Sequence, residues 1–466
     1  MKLTKNTQNI FYLFSVEFIV RLFGFFAVAY LARTLGKSGF GIINVGLGIL
    51  SYAMILSIGG LNLLGVRKVA AKKEAINKLA LRIISARLFL SAIMFFLFAV
   101  ILYFLFDGIN FSVSIIYLLY MFPAVLLVEW YFQGRQRMGN IAAGKAFGMA
   151  AYLLMIVILV QSSEDIIFTP IAWAIGAAVN GAFLLVMIES NDKPKLRELK
   201  DLKIIELLRE SFPLAGASII AQVVIMFPVI FIGLSIGDAD AGVYSAAYKI
   251  IILILVLDRV FNALFFPKIV NHINYMPEKV GDIFRSVLKI ICFVSTSFGL
   301  IALLLGEPLM LFVFGEEYIS AVPIFQVLIG FFILTLVNSV FTYTLIGKHK
   351  ERVYTTALSI GAILFFVFGI SLTIYFGTIG MAIGVVIFEF SALTYMIFNL
   401  GDIKYNLFRT VVWPVIFTLI TAFCLVELLH LSLILELLIA LTAIVLTGAT
   451  IRIGKDELNF IKQVLF

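Results

Sequence analysis

The sequence predicts an all-α polytopic membrane protein: about 14 transmembrane helices, forming two six-helix lobes related by a pseudo-two-fold plus two extra C-terminal helices. Three observations carry that reading. Of the 466 residues, 62% are hydrophobic and 13% charged, where soluble domains run at roughly 45–50% and about 25%. The apolar runs last about 20 residues, the length a helix needs to cross hydrocarbon, and do not alternate over about 10 residues as barrel strands do. Lys and Arg collect in every second gap between runs, as the positive-inside rule asks of a multi-pass chain.

In chain order, the N-terminal lobe (1–190) holds spans at 10–32, 40–64, 83–106, 112–132, 141–161 and 166–188. The first follows Lys2 and Lys5 like a signal peptide, but it is too long, holds Glu17 and Arg21, and lacks a small-residue cleavage site, so it reads as a retained helix. Residues 191–211 form a cytoplasmic linker in which Ile204, Ile205, Leu207 and Leu208 alternate with charges. That pattern suits an amphipathic surface helix; the plainer reading is a linker whose lysines fix topology. The C-terminal lobe (212–400) holds spans at 212–236, 242–266, 284–305, 320–346, 353–376 and 379–399, and 401–466 adds spans at 410–429 and 432–451 with a cytoplasmic tail. Pro228 and Pro414 fall inside spans, where a missing N–H permits a hinge.

The termini and alternate gaps hold 26 Lys and Arg; the other gaps hold only Arg33 and Lys37 and collect Asp107, Glu164, Asp165, Asp238, Asp240, Glu307, Glu316 and Glu317. The bias places both termini in the cytoplasm of a cell-membrane protein. It also tests the span count, because one missed or invented helix would invert every later gap, and none inverts.

An internal repeat supports the two lobes. Gly36, four residues, then Gly41 follow the first span; Gly237, four residues, then Gly242 follow the seventh, 201 positions later. Gly134-Arg135-Gln136-Arg137 after the fourth span matches Gly347-Lys348-His349-Lys350 after the tenth, 213 positions later. Both pairs occupy equivalent gaps, the pattern of parallel repeats around a midplane site.

Several functions are excluded. Cys292 and Cys424 lie inside apolar runs, and His272, His349 and His430 are scattered, so neither a disulfide framework nor a metal site is expected, and no cofactor. The net charge of +8 sits in short gaps, where it sets topology and does not imply nucleic acid. Spans of about 21 residues leave too little chain for a soluble catalytic domain, so an enzyme is not expected.

Several stretches resemble the polysaccharide flippases of the multidrug/oligosaccharidyl-lipid/polysaccharide exporter superfamily: Leu31 to Ile42, Gly59-Gly60-Leu61-Asn62 leading to Arg67-Lys68-Val69-Ala70, and Trp130-Tyr131-Phe132-Gln133-Gly134. So do Ser211-Phe212-Pro213-Leu214, Gly242 to Ile250, and Phe314-Gly315-Glu316-Glu317-Tyr318. The resemblance covers essentially the whole chain. It implies movement of a lipid-linked oligosaccharide, on a polyprenyl phosphate or pyrophosphate carrier, from the cytoplasmic to the outer leaflet; the further expectations are a monomer in contact with membrane lipids, driven by H+, by Na+ or by the membrane potential alone. One departure stands out: helix 7 of the family often carries an acidic residue where this chain reads Val223 to Val229 without one. The rivals are a cation-coupled multidrug antiporter of the same superfamily, and a membrane-bound polysaccharide polymerase or ligase, which would want a long outer loop that is missing here.

A protein is needed because an unpaired ion in hydrocarbon costs on the order of 20 kcal/mol by idealised Born arithmetic. A cationic central cavity with alternating access removes most of that cost. An inside-negative potential drives an anion outward by about 2.3 kcal/mol per charge per 100 mV. The candidate site residues are the charges inside spans. Arg21, a turn from Glu17, is either the phosphate contact held by Glu17 or half of a structural pair. Arg259 and Lys249 are further substrate contacts; Arg87 is a fourth, or a structural residue that snorkels. Asp258, beside Arg259, and Glu389, mid-span, are coupling or charge-pair candidates.

Overall fold

A computed structural model describes residues 5–71, 75–193, 204–212, 216–259, 261–262, 280–401, 413–414, 416–417, 433–451 and 454, which are helices and the turns between them. Eight helices among them are long and apolar enough to cross a membrane, with shorter apolar helices at Gly108–Ala124, Val224–Ser235 and Ile439–Ile451. Two of the eight, Val20–Ile58 and Glu351–Asn399, each contain two expected spans. The expected thirteenth span, 410–429, lies almost wholly outside the described residues.

By contact, the chain divides into two compact units, Met1–Gly242 and Val243–Phe466. The first begins with α1 (Lys5–Ile58), a single run kinked at Gly36, where a φ of 65° suits a residue without Cβ. The expected second span does not run to 64. Gly59 and Gly60, both at positive φ, stop it, and α2 (Leu61–Ala71) starts afresh. Next comes α3 (Ile76–Leu105), which starts ahead of the expected 83.

The fourth span is the largest departure. A continuous helix over 112–132 is replaced by α4 (Gly108–Leu119), the single turn α5 (Met121–Ala124) and α6 (Glu129–Gly134). Pro123 lacks an N–H and its ring opposes the preceding turn, so the ladder fails there. Freed carbonyls inside a membrane need partners. Arg87 on α3 supplies them: Nη2 donates to the Ala124 carbonyl at 2.8 Å and Nη1 to that of Leu127 at 2.9 Å. The residue is 3% exposed, so the expected snorkelling to water does not occur; the broken helix offers nearer acceptors.

α7 (Met138–Leu159) and α8 (Phe168–Met187) cross where glycine faces glycine. A Cβ on Gly148 would lie 2.7 Å from the Gly176 carbonyl oxygen, and one on Gly176 would lie 2.8 Å from that of Gly148. Small residues at such a crossing let dispersion do what the hydrophobic effect cannot do between helices in lipid. The linker's α9 (Ile204–Ser211) docks on the same unit: Leu207 is fully buried in a cluster with Leu61, Leu64, Leu79, Ile83 and Trp130, and Lys68 pairs with Glu210 at 2.8 Å. Its apolar face therefore meets protein, while Ile205 on the other side stays exposed.

The two basic turns share a backbone geometry. Among the described residues the non-glycine positions at positive φ are Gln136 (57°) and His349 (56°), each two residues after a glycine. Their hydrogen bonds also match. Arg135, Gln136 and Arg137 N–H groups reach the carbonyls of Tyr131, Gln133 and Phe132; those of Lys348, His349 and Lys350 reach Thr344, Ile346 and Leu345. Both are Schellman closures in which Gln136 and His349 hold the left-handed C′ position where glycine is usual, two residues after Gly134 and Gly347. Gly134 instead packs: a Cβ there would meet Val69 at 2.6 Å. Around the first closure, Asp192 takes Arg135 at 2.5 Å and the Tyr131 hydroxyl at 2.8 Å, and Glu189 takes Arg137 at 2.5 Å. The hydrogen bond to Asp192 raises the Arg135 guanidinium above its ordinary pKa.

α10 (Gly216–Ser235) continues through Pro228, and α11 (Asp238–Ile254) follows. The turns at 36–41 and 237–242 touch reciprocally. A Cβ on Gly41 would strike the Asp238 carbonyl, and one on Gly242 would strike that of Lys37, the residue equivalent to Asp238. Asn110 steadies this turn by donating to both Asp238 carboxylate oxygens at 3.0 and 3.1 Å.

In the second unit come α12 (Val280–Leu304), the short α13 (Gly306–Phe314), α14 (Ala321–Gly347) and α15 (Glu351–Leu364). A π turn at Phe365–Gly369 leads into α16 (Ile370–Asn399), kinked at Gly377 where φ is 60°, and α17 (Leu433–Ile451) is the last described helix.

Candidate functional site

Two polar groups lie within the apolar bundles, one in each unit. In the first unit, the break in the fourth span opens beside the α7–α8 crossing to leave a cavity of about 250 Å³. Its wall is aromatic: the Trp173 ring lies 6.0 Å from that of Tyr120 and 4.9 Å, edge to face, from that of Tyr152. Polar groups interrupt it. Glu129 and Lys145, which both line the cavity, pair at 3.3 Å. Asn180, 9% exposed, also lines it, and its Oδ1 is buried without a hydrogen-bond partner.

In the second unit, α14 carries Thr335, Asn338 and Ser339 on one face, a spacing of three and four residues. They hold two carboxylates from other helices. Thr335 donates to Glu389 Oε1 at 3.1 Å, and Asn338 donates to Glu389 Oε2 and to its main-chain carbonyl. Ser339 donates to Asp258 Oδ1 at 2.5 Å, and Asn262 to Oδ2 at 2.8 Å. No ion pair engages either carboxylate among the described residues; hydroxyls and amides satisfy them. Such a network can be rewired by one proton, because a neutral carboxyl becomes a donor where the ion was only an acceptor.

The candidate residues read from sequence scatter around these groups. Arg21 is half-buried on α1 next to Val20, which lines the cavity. The side chain of Glu17 lies outside the described residues. Arg87 is engaged by the broken fourth span and turns to carbonyls, not to a cavity. Lys249 is half-buried on α11, and among the described residues no hydrogen bond or ion pair engages it. Arg259 is exposed, while its neighbour Asp258 turns to Ser339, so the two diverge as their 100° separation requires. Glu389 is half-buried within the network above.

Sequence reasoning missed Lys145 and the aromatic wall. It also missed the α14 stripe, although Thr335, Asn338 and Ser339 at helical spacing in an otherwise apolar run were a readable signal. Among the described residues, no group of three or more His, Cys, Asp or Glu is placed to hold a metal.

Helical bundles that keep ionisable groups at membrane depth define a multi-pass membrane protein whose polar chemistry lies between its helices. The fold matches solved structures throughout. A lipid II flippase, MurJ, in an inward closed conformation superposes with a TM-score of 0.74 at 12% identity, over 94% of this chain and 98% of that one. An inward-facing multidrug resistance transporter of the MATE family gives 0.65 at 16% identity, over 81% and 93%. The chain belongs to the polysaccharide biosynthesis protein family, whose sequence profile matches residues 6–273. A Shigella dysenteriae protein assigned as an O-antigen transporter is 24% identical over 401 residues, covering 84% of this chain and 98% of that protein.

Proposed function

We propose that this chain flips a lipid-linked oligosaccharide, carried on a polyprenyl phosphate or pyrophosphate, from the cytoplasmic to the outer leaflet of the cell membrane by alternating access. The observation that carries the reading is family membership together with full-length similarity to a protein assigned as an O-antigen transporter. The charges within the spans fit it. Arg21, Lys249 and Arg259 are the groups proposed to meet the phosphate, with Glu17 holding Arg21 between cycles, and both termini are placed in the cytoplasm by the Lys and Arg bias. Arg87, committed to two carbonyls, is assigned to the scaffold. The two six-helix lobes, joined at 191–211, would move while the isoprenoid tail stays in lipid.

Glu389 and Asp258 are proposed as the coupling groups, with H+ as the ion. Their hydrogen-bonded network, without an ion-paired base among the described residues, also favours a second reading, a cation-coupled antiporter.

The test is deletion of the gene followed by a leaflet-resolved assay of lipid-linked oligosaccharide. Accumulation in the inner leaflet, rescued by wild type and poorly by Arg21→Ala, is the expected result. An unchanged leaflet distribution on deletion rejects the flippase; full rescue by Arg21→Ala rejects that residue as a phosphate contact.

A further inference from the structure

The cavity of the first unit is larger than packing requires and chemically mixed. Two glycines, Gly148 and Gly176, bring α7 and α8 as close as helices come, so the space beside them is not a general looseness. Interiors are otherwise close-packed, and a persistent cavity with buried polar groups is the ordinary form of a ligand site. Its volume of about 250 Å³ falls just under the roughly 300–1,000 Å³ that drug-sized ligands occupy. It accommodates one ring, not a chain of them.

The lining then selects the ring. Trp173, flanked by Tyr120 and Tyr152, offers a broad π face to weakly positive C–H groups. Glu129 is an acceptor and Lys145 a donor; the Asn180 Oδ1 is shielded against α7, where a Cβ on Gly144 would meet it at 2.5 Å, which leaves the amide nitrogen as the donor Asn180 can offer a ligand hydroxyl. A phosphate would meet Glu129, and a lipid tail would leave the amide and the ion pair desolvated. An organic cation would gain the aromatic faces but meet Lys145. A hydroxylated ring with one C–H face satisfies every wall. We propose that this cavity is a subsite for a single sugar ring of the saccharide headgroup, stacked on Trp173 and hydrogen-bonded by Glu129, Lys145 and Asn180. The proposal rests on the flippase reading and adds the sugar as a recognised part of the substrate, apart from the phosphate contacts proposed at Arg21, Lys249 and Arg259.

The experiment is tryptophan fluorescence of the full-length protein in nanodiscs, titrated with the oligosaccharide released by mild acid from the lipid-linked pool of the native host. Wild type should show a saturable quench that Trp173→Phe abolishes. Asn180→Ala should weaken the midpoint about fivefold, the equivalent of one buried hydrogen bond, and Asn180→Gln should restore part of it. Melting curves on each variant separate lost binding from lost folding, and Trp173→Phe with a wild-type melting curve is the decisive comparison. A quench that persists in Trp173→Phe, or no quench, overturns the proposal. So does a Trp173-dependent quench by tetraphenylphosphonium without one by the sugar, which would make the cavity a cation site. The two readings fail separately: a leaflet defect on deletion with no Trp173 signal sinks the sugar subsite alone. A Trp173 signal with normal leaflet distribution sinks the flippase.

Discussion

The two units keep polar groups in an apolar bundle by opposite means. The first hosts bases: Arg87 is clamped on two main-chain carbonyls, and Lys145 faces Glu129. The second hosts acids: Asp258 and Glu389 are held by neutral hydroxyls and amides from α14. An arginine clamped on carbonyls has no proton to gain, and the Lys145 charge favours ionised Glu129, whereas a carboxylate held by neutral donors changes its bonding pattern when a proton arrives. The first unit thus holds its buried charge in fixed bonds, and the second holds carboxylates whose bonds depend on protonation.

The contrast is broken most directly at Arg87. Arg87→Met leaves the Leu127 carbonyl unpaired and the Ala124 carbonyl with the Leu127 N–H alone, and the loss of two hydrogen bonds from a charged donor implies a cost on the order of 3 kcal/mol. Thermal unfolding in detergent should show it as the largest drop of any intramembrane substitution. Wild-type melting would mean the arginine is not structural. Smaller, and a check on the repeat, is the glycine contact. Gly41→Val and Gly242→Val should each cost about 1–3 kcal/mol by overpacking, and by similar amounts, since each meets the other turn's carbonyl. A markedly unequal pair of melting shifts would show that the turns are not equivalent.

Glu389→Gln should cost about 1 kcal/mol or less in stability, because the amide keeps most of the hydrogen bonds. It should nonetheless flatten the pH dependence of transport measured in proteoliposomes, while Glu129→Gln leaves that profile intact. The reverse pattern would assign the switch to the wrong unit. Smallest of all, Glu210→Gln removes a partly exposed pair with Lys68 and should change stability by under about 1 kcal/mol. Hydrogen exchange over Ile204–Ser211 should stay slow, because Leu207 and not the ion pair holds α9.

Much of the fold was legible because hydrocarbon enforces it. Continuous apolar runs and alternating Lys and Arg mark spans without reference to distant residues, and glycine spacing marked the turns at 36–41 and 237–242. What the glycines do was less so. Gly36, Gly59 and Gly60 are needed for positive φ, but Gly134 is needed for room beside Val69, and the left-handed turn position belongs to Gln136. The break in the fourth span was hidden because its residues are as apolar as a helix, and Pro123 was its lone mark. Arg87 could not be interpreted until that break, 37 and 40 residues away, was known. The Glu389 network joins residues 51 and 54 positions apart, and Asp258 meets Ser339 across 81. Sequence shows that such charges exist; only packing shows which neighbour answers them.

The reciprocal contact of Gly41 and Gly242 has a further consequence. When position i of one turn meets j of the other, and j meets i, the geometry is that of an isologous dimer interface. Each glycine therefore guards the other turn's main chain, and a side chain added at either position would be felt by both turns at once.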